Sequence, residues 1–185
     1  MSRPDKVAVD LVGETESKRF TYDGATFLMQ DRQRNVYSQV PMPNTIDGML
    51  DTLSRVYGVD PPLDDLLYAN PYDGLVAQVE TGQYLGRHSV LGVECDHLAF
   101  TQAAVDWEIW IEGGDRPLPR QIVIRHKQIE GVPTFTAVVT DWALAPVFPP
   151  GFFDTKPPGG AQRIEMVPVA QRQEAPPPGA AQPGT

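Results

Sequence analysis

Cysteine is nearly absent from this sequence. With Cys95 as its one thiol, the chain has no internal disulfide and must be held together by packing and hydrogen bonds; a lone thiol also says nothing of the redox compartment. Basic residues are scarce as well: 15 Lys and Arg stand against 24 Asp and Glu, for a net charge of −9. Such a balance repels a phosphate backbone and argues against nucleic acid as a partner. No run approaches the roughly 18 apolar residues of a transmembrane helix. The opening MSRPDKVAVD lacks the apolar middle of a signal peptide. Several chemical signatures are missing too: a Gly-rich phosphate loop, a Gly-x-Ser-x-Gly elbow and a His-Glu-x-x-His helix. The expectation is a protein without cofactor and without enzymatic activity.

What is present is enough for one domain: 185 residues, of which 41% are hydrophobic. KVAVDLVG alternates, and extended runs follow at Ser17 to Tyr22, Ala25 to Gln30 and Asn35 to Val40, broken by Gly24 and the polar DRQRN. The texture then turns helical. Asn44 can cap a helix from Ile46 to about Tyr57, with Ile46, Met49, Leu50, Leu53 and Tyr57 on one face and Gly58 as terminator. Pro61 and Pro62 open a shorter piece, LDDLLYA, and Pro71 another, YDGLVAQV. Residues 41–80 hold seven carboxylates against Arg55 alone, read as a solubilising face.

Strands return at Gln83 to Val90, Val93 to Thr101, Val105 to Glu112, Arg120 to Gln128 and Thr134 to Leu144, with a last one within Ala161 to Val167. Short links between them indicate an antiparallel meander. Phe148, Phe152 and Phe153 in the Pro/Gly-rich loop are expected over an open edge or mouth of the sheet, and the Pro-rich tail 169–185 is expected to be disordered. The domain reading is therefore 1–168, with a helical insertion at about 45–79.

Side chains alternate along a strand, and a sheet packed on one side should be polar on the other. Here Leu98, Phe100, Trp110, Val138 and Trp142 put large apolar groups on the second face. That favours a highly curved antiparallel sheet, an incomplete barrel whose concave side is partly filled by the central helices. A Leu91-Gly92 hairpin turn would set His88 across from Cys95 and Arg87 across from Asp96. His88, Cys95 and His97 could then approach one another, formally enough for zinc, but two adjacent strands with no fourth ligand argue for structure instead. Asp106 and Glu108 share a face at a spacing suited to glycoside chemistry, yet solvated polar-face residues explain them better.

The segments RPDKVAVDLVG, FLMQDRQRNVYSQVPMPNTIDGMLDTLSRVYGVDPPLDDLLY, GRHSVLGVECDHLAFTQAAVDWEIWIEGGDRPLPRQIVI and TFTAVVTDWALAP together resemble a bacterial family of predicted periplasmic proteins, domain of unknown function 2092. The likeness runs from residue 3 to about 167 and is most specific from Gly92 through Pro119. It implies a relation in fold to the LolA/LolB-type lipoprotein carriers, whose curved incomplete barrel encloses an apolar cavity. It also implies a periplasmic location. A signal peptide and a strand-rich segment that the resemblance leads one to expect ahead of RPDKVAV are missing, which leaves the cytoplasm as the alternative.

By position, Phe27, Met49, Leu53, Tyr84, Phe100, Trp107, Trp110 and Trp142 are the candidate cavity lining. The functional expectation is a non-enzymatic binding or carrier module for an apolar or lipid-like ligand. The alternatives are a structural or protein-interaction module of the envelope, and a metal or thiol enzyme built on Cys95 and His97 with His88 or His126.

Overall fold

The computed structural model describes residues 1–61, 63–115 and 117–172. Most of the tail expected to be disordered, from residue 173 on, lies outside the described residues, as does Pro62; Val169–Arg172 form a short helix, α3. The chain is mainly β. Among the described residues ten strands form two five-stranded sheets rather than one, and these residues divide into two compact units, one holding each sheet.

The first unit comprises Met1–Pro71 and the described residues from Phe148 onward. Its sheet is a meander of β1 (Val7–Val12), β2 (Ser17–Tyr22), β3 (Thr26–Asp31) and β4 (Val36–Pro41), closed at one edge by a short parallel strand late in the chain, Gln162–Arg163. The register places Val7 opposite Tyr22, and Tyr22 opposite Phe27. These three share the face on which helix α1 (Ile46–Tyr57) packs, presenting Ile46, Met49, Leu50 and Leu53. Tyr22 is fully buried, and its hydroxyl donates to the carbonyl of Pro43, tying β2 to the chain just before the helix. The helix begins at Ile46 as expected, but its cap is Thr45 and not Asn44: Thr45 takes extended backbone, and its hydroxyl accepts from the Gly48 N–H at 3.1 Å. Gly58 ends it in the left-handed region at φ 60°.

The acidic residues of α1 have local duties. Asp47 accepts the Ala69 N–H at 3.0 Å, and Asp51 accepts the Tyr68 hydroxyl at 3.1 Å. These bonds hold the 3₁₀ turn Asp64–Leu67 and its exit against the helix. Burial, the Asp51 hydrogen bond and neighbouring carboxylates push the Tyr68 phenol up to about 12. Asp64 and Asp65 are both pushed upward by burial, Asp64 also by its neighbour.

On the face turned away from α1, Arg19 of β2 donates to the Phe152 carbonyl at 3.0 Å, and Gln39 of β4 to that of Thr155 at 3.0 Å. The Thr155 hydroxyl donates to Asp23 at 2.7 Å. The long Pro/Gly loop is thus fastened across the sheet. Phe148, Phe152 and Phe153 pack mainly on one another, with centroids 4.7–5.1 Å apart. Burial works to raise the Asp23 carboxyl, but the hydrogen bonds from Thr155, Thr26 and Ala25 outweigh it and leave the group below its ordinary value.

The second unit, Tyr72–Val147, is an antiparallel meander in chain order: β5 (Thr81–Val90), β6 (Val93–Thr101), β7 (Val105–Glu112), β8 (Pro119–His126) and β9 (Thr134–Val138). Helix α2 (Pro71–Val76) leads into it, and Gln102 donates to the Leu75 carbonyl at 3.2 Å. The expected strand Thr134 to Leu144 stops early. After the Val139 N–H bonds to the Arg120 carbonyl, the Arg120 guanidinium takes the Thr140 carbonyl at 2.8 Å, and the chain leaves the ladder. The late strand within Ala161 to Val167 likewise shrinks to Gln162–Arg163.

At the β5–β6 turn, Leu91 (φ 50°) and Gly92 (φ 83°) both occupy the left-handed region. Two such central residues define the turn whose twist suits a two-residue hairpin. Glycine does this freely, whereas leucine is strained there by about 1–2 kcal/mol, and Leu91 has no packing to lose because it is largely exposed. Leu91→Asn is expected to raise stability by about 0.5–1 kcal/mol, seen as a higher urea midpoint at unchanged slope; an unchanged or lower midpoint would show that this turn is not under strain.

Candidate functional site

The hairpin register decides what each face of the second sheet carries. Val90 pairs with Val93, His88 with Cys95 and Arg87 with Asp96, as the two-residue turn requires. A bulge at Leu85, with Gly86 at φ 95°, shifts the register by one residue beyond that point. From β6 onward the pairs are Leu98 with Ile109, Phe100 with Trp107, Ile109 with Ile122, Trp107 with Ile124 and Ile124 with Phe135. Directly opposed residues lie on one face, so Leu98, Phe100, Trp107, Ile109, Ile122 and Ile124 make a single apolar field. At its centre the Phe100 and Trp107 rings stack at 4.2 Å, a pairing worth about 0.5–1.5 kcal/mol beyond area burial. Gly82 lies across from Phe100, and a Cβ there would meet the ring at 3.1 Å. The ring occupies the place of a side chain.

The opposite face carries His88 and His97, while His126 lies at the margin of the apolar face, across from Val105. His97, 7% exposed, lies flat on Trp110 with centroids 3.9 Å apart. Its Nδ1 is 3.1 Å from Nδ1 of His88, and its Nε2 is 2.9 Å from a carboxylate oxygen of Glu108. Arg125 approaches the other Glu108 oxygen at 3.7 Å. Cys95 is 1% exposed and its thiol donates to the Val93 carbonyl at 3.5 Å. Burial pushes that thiol up, with the Glu112 carboxylate adding to the effect. A thiol so placed is a poor nucleophile and a poor metal ligand.

The expected cavity residues are distributed between the units. Phe27, Met49 and Leu53 sit in the core of the first, 6%, 2% and 2% exposed. Phe100 and Trp107 lie on the apolar face of the second sheet, and Trp110 lies on its opposite face. Tyr84 is 59% exposed and donates its hydroxyl to Asp96 at 2.8 Å, a bond that lifts its phenol. Trp142 lies beyond β9, 39% exposed, with its indole N–H on the Pro119 carbonyl at 2.9 Å. A recess of about 420 Å³ in the first unit is lined by Ser2, Lys6, Asp23 and Phe148–Asp154; none of the eight residues borders it.

Reading strand by strand missed Glu108 as the partner of His97. The two are diagonal across β6 and β7, a relation that appears only once the register after the Thr101–Ala104 turn is drawn. The Asp106/Glu108 pair is engaged by basic side chains: Lys127 on Asp106 at 3.0 Å and Arg125 on Glu108 at 3.7 Å, with the His97 ring also hydrogen-bonded to Glu108 at 2.9 Å. Arg87 and Asp96 do pair at 3.6 Å, but both are well exposed and the contact is worth little.

These features define a mainly β protein with an apolar sheet face and, among the described residues, no helix long and apolar enough to cross a membrane. The chain belongs to the DUF2092 family, described as predicted periplasmic protein, which it matches over residues 1–167. The periplasmic location implied by the sequence resemblance agrees with that description. No curated protein matches the chain at a significant level.

The buried thiol gives a direct check. Folded protein at pH 8 is expected to react with a disulfide reagent such as DTNB at least 100-fold more slowly than the urea-unfolded chain; equal rates would mean that Cys95 is accessible and would restore the thiol chemistry.

Proposed function

We propose that the protein is a non-enzymatic binding or carrier module of the cell envelope for an apolar, lipid-like ligand, admitted against the half-buried Phe100 and the buried Trp107 on the apolar face of the second sheet. The observation that supports this reading is the apolar field on one face of the second sheet, which runs across β6, β7 and β8 in register. Pockets for apolar ligands have walls of this composition with a few polar groups to orient the cargo. On this reading the sheet bends about its ligand as an incomplete barrel, in the manner of the LolA/LolB-type carriers. Tyr84 and Trp142 lie at the margins, while Phe27, Met49 and Leu53 stabilise the first unit.

A thiol or glycosidase reading has less support, since Cys95 is buried and the candidate carboxylates are held by cations. A protein-docking role for the Phe152/Phe153 loop is also weaker, because those rings face each other and Arg19 stacks over Phe152 at 5.5 Å.

A variant carrying Trp110→Phe and Trp142→Phe leaves Trp107 as the only indole. Brominated palmitate is expected to quench its fluorescence saturably, by more than half, and Phe100→Asp in the same background is expected to weaken binding at least tenfold. Absence of quenching at saturating lipid, with the fold intact by circular dichroism, would remove the ligand reading.

A further inference from the structure

The His88–His97 contact has a geometry that the proposed ligand face does not use. Two imidazole Nδ1 atoms lie 3.1 Å apart, each ring on its own strand. We propose that they are two donors of an open divalent transition-metal site, of the copper(II) type, on the histidine face of the second sheet. Imidazole nitrogens bind such ions at about 2.0–2.1 Å, so donors with this separation subtend about 98° at the ion, near the right angle of tetragonal coordination.

The surroundings of His97 suit a ligand. Its Nε2 is 2.9 Å from Glu108, so the neutral ring carries its proton on Nε2 toward that carboxylate and presents Nδ1 to His88. A carboxylate behind the imidazole is the usual orienting partner of a metal-bound histidine and raises its basicity. Arg125 steadies that carboxylate at 3.7 Å, and Trp110 holds the ring plane from one side at 3.9 Å. The half of the site on β6 is therefore already organised before any ion arrives.

His88 is exposed and supplies the entrance. Without an ion, its Nδ1–H donates to His97 Nδ1. To bind one, His88 carries its proton on Nε2 instead, so that both Nδ1 lone pairs face the ion with no net proton released. Cys95 stands across from His88 but is turned to the Val93 carbonyl. Among the described residues no three His, Cys, Asp or Glu side chains converge to hold a metal. The remaining positions thus belong to water or to an incoming ligand, and the ion is exchangeable.

Titration of the purified full chain with copper(II) chloride at pH 7.5, followed by electron paramagnetic resonance and calorimetry, tests the site. One equivalent is expected to bind with two-nitrogen superhyperfine structure. His88→Ala and His97→Ala should each lower affinity at least 30-fold, Glu108→Gln about 10- to 100-fold, and His126→Ala should leave it unchanged. His88→Ala removes an exposed side chain, so its fold, checked by circular dichroism, should survive. Absence of a one-equivalent site in the parent would overturn the proposal, as would undiminished binding by folded His88→Ala. Neither result bears on brominated palmitate, which reports on the opposite face.

Discussion

The register of the β5–β6 hairpin is the constraint on which the second unit depends. Side chains alternate with a period of two, so a slip by one residue would exchange the faces of β5 relative to β6. The Leu91–Gly92 turn prevents that slip by closing the hairpin with two left-handed residues. Once Val90 meets Val93, His88 must meet Cys95, and the bulge at Leu85 corrects the remainder so that Gly82 meets Phe100. The stacking of Phe100 on Trp107 and of His97 on Trp110 follows from the next register, that of β6 on β7.

The second sheet is consequently two-sided in chemistry. One face is a run of aliphatic and aromatic groups with Phe100 and Trp107 at its centre. The other buries a thiol and a histidine, yet satisfies them locally through Val93, Glu108 and Arg125. Two-sided burial without a second chemistry would suggest a plain core. A histidine pair held by a carboxylate and an indole on one side, with an apolar field on the other, gives the two faces distinct chemistries. The first unit is different: its sheet is covered by α1 on one face and strapped by the Thr155 loop on the other, a role that the run of prolines and phenylalanines disguises as a linker.

Local chemistry made most elements legible. Alternation and turn residues placed β5 to β8 within two residues of their bounds, and helical spacing with Gly58 placed α1. The cap fell on Thr45 rather than Asn44 because both residues are suitable and only backbone conformation decides between them. The shortened β9 was illegible because its end depends on Arg120, a residue one strand away that captures the Thr140 carbonyl. Two sheets instead of one could not be read from alternation, which gives each strand's faces but not which strands pair across the helices. Among the site residues, the pairing of His88 with Cys95 followed from the turn, while Glu108 needed a second register that local spacing does not supply.

The central claim is that the apolar face of the second sheet is a surface for an apolar ligand and not an unused side of a scaffold. Native mass spectrometry of full-length protein, purified from cells without detergent, tests it most directly. The account predicts a bound species of lipid mass that is lost on organic extraction and absent from Phe100→Asp. Protein that emerges ligand-free from cells and takes up no added fatty acid would contradict it.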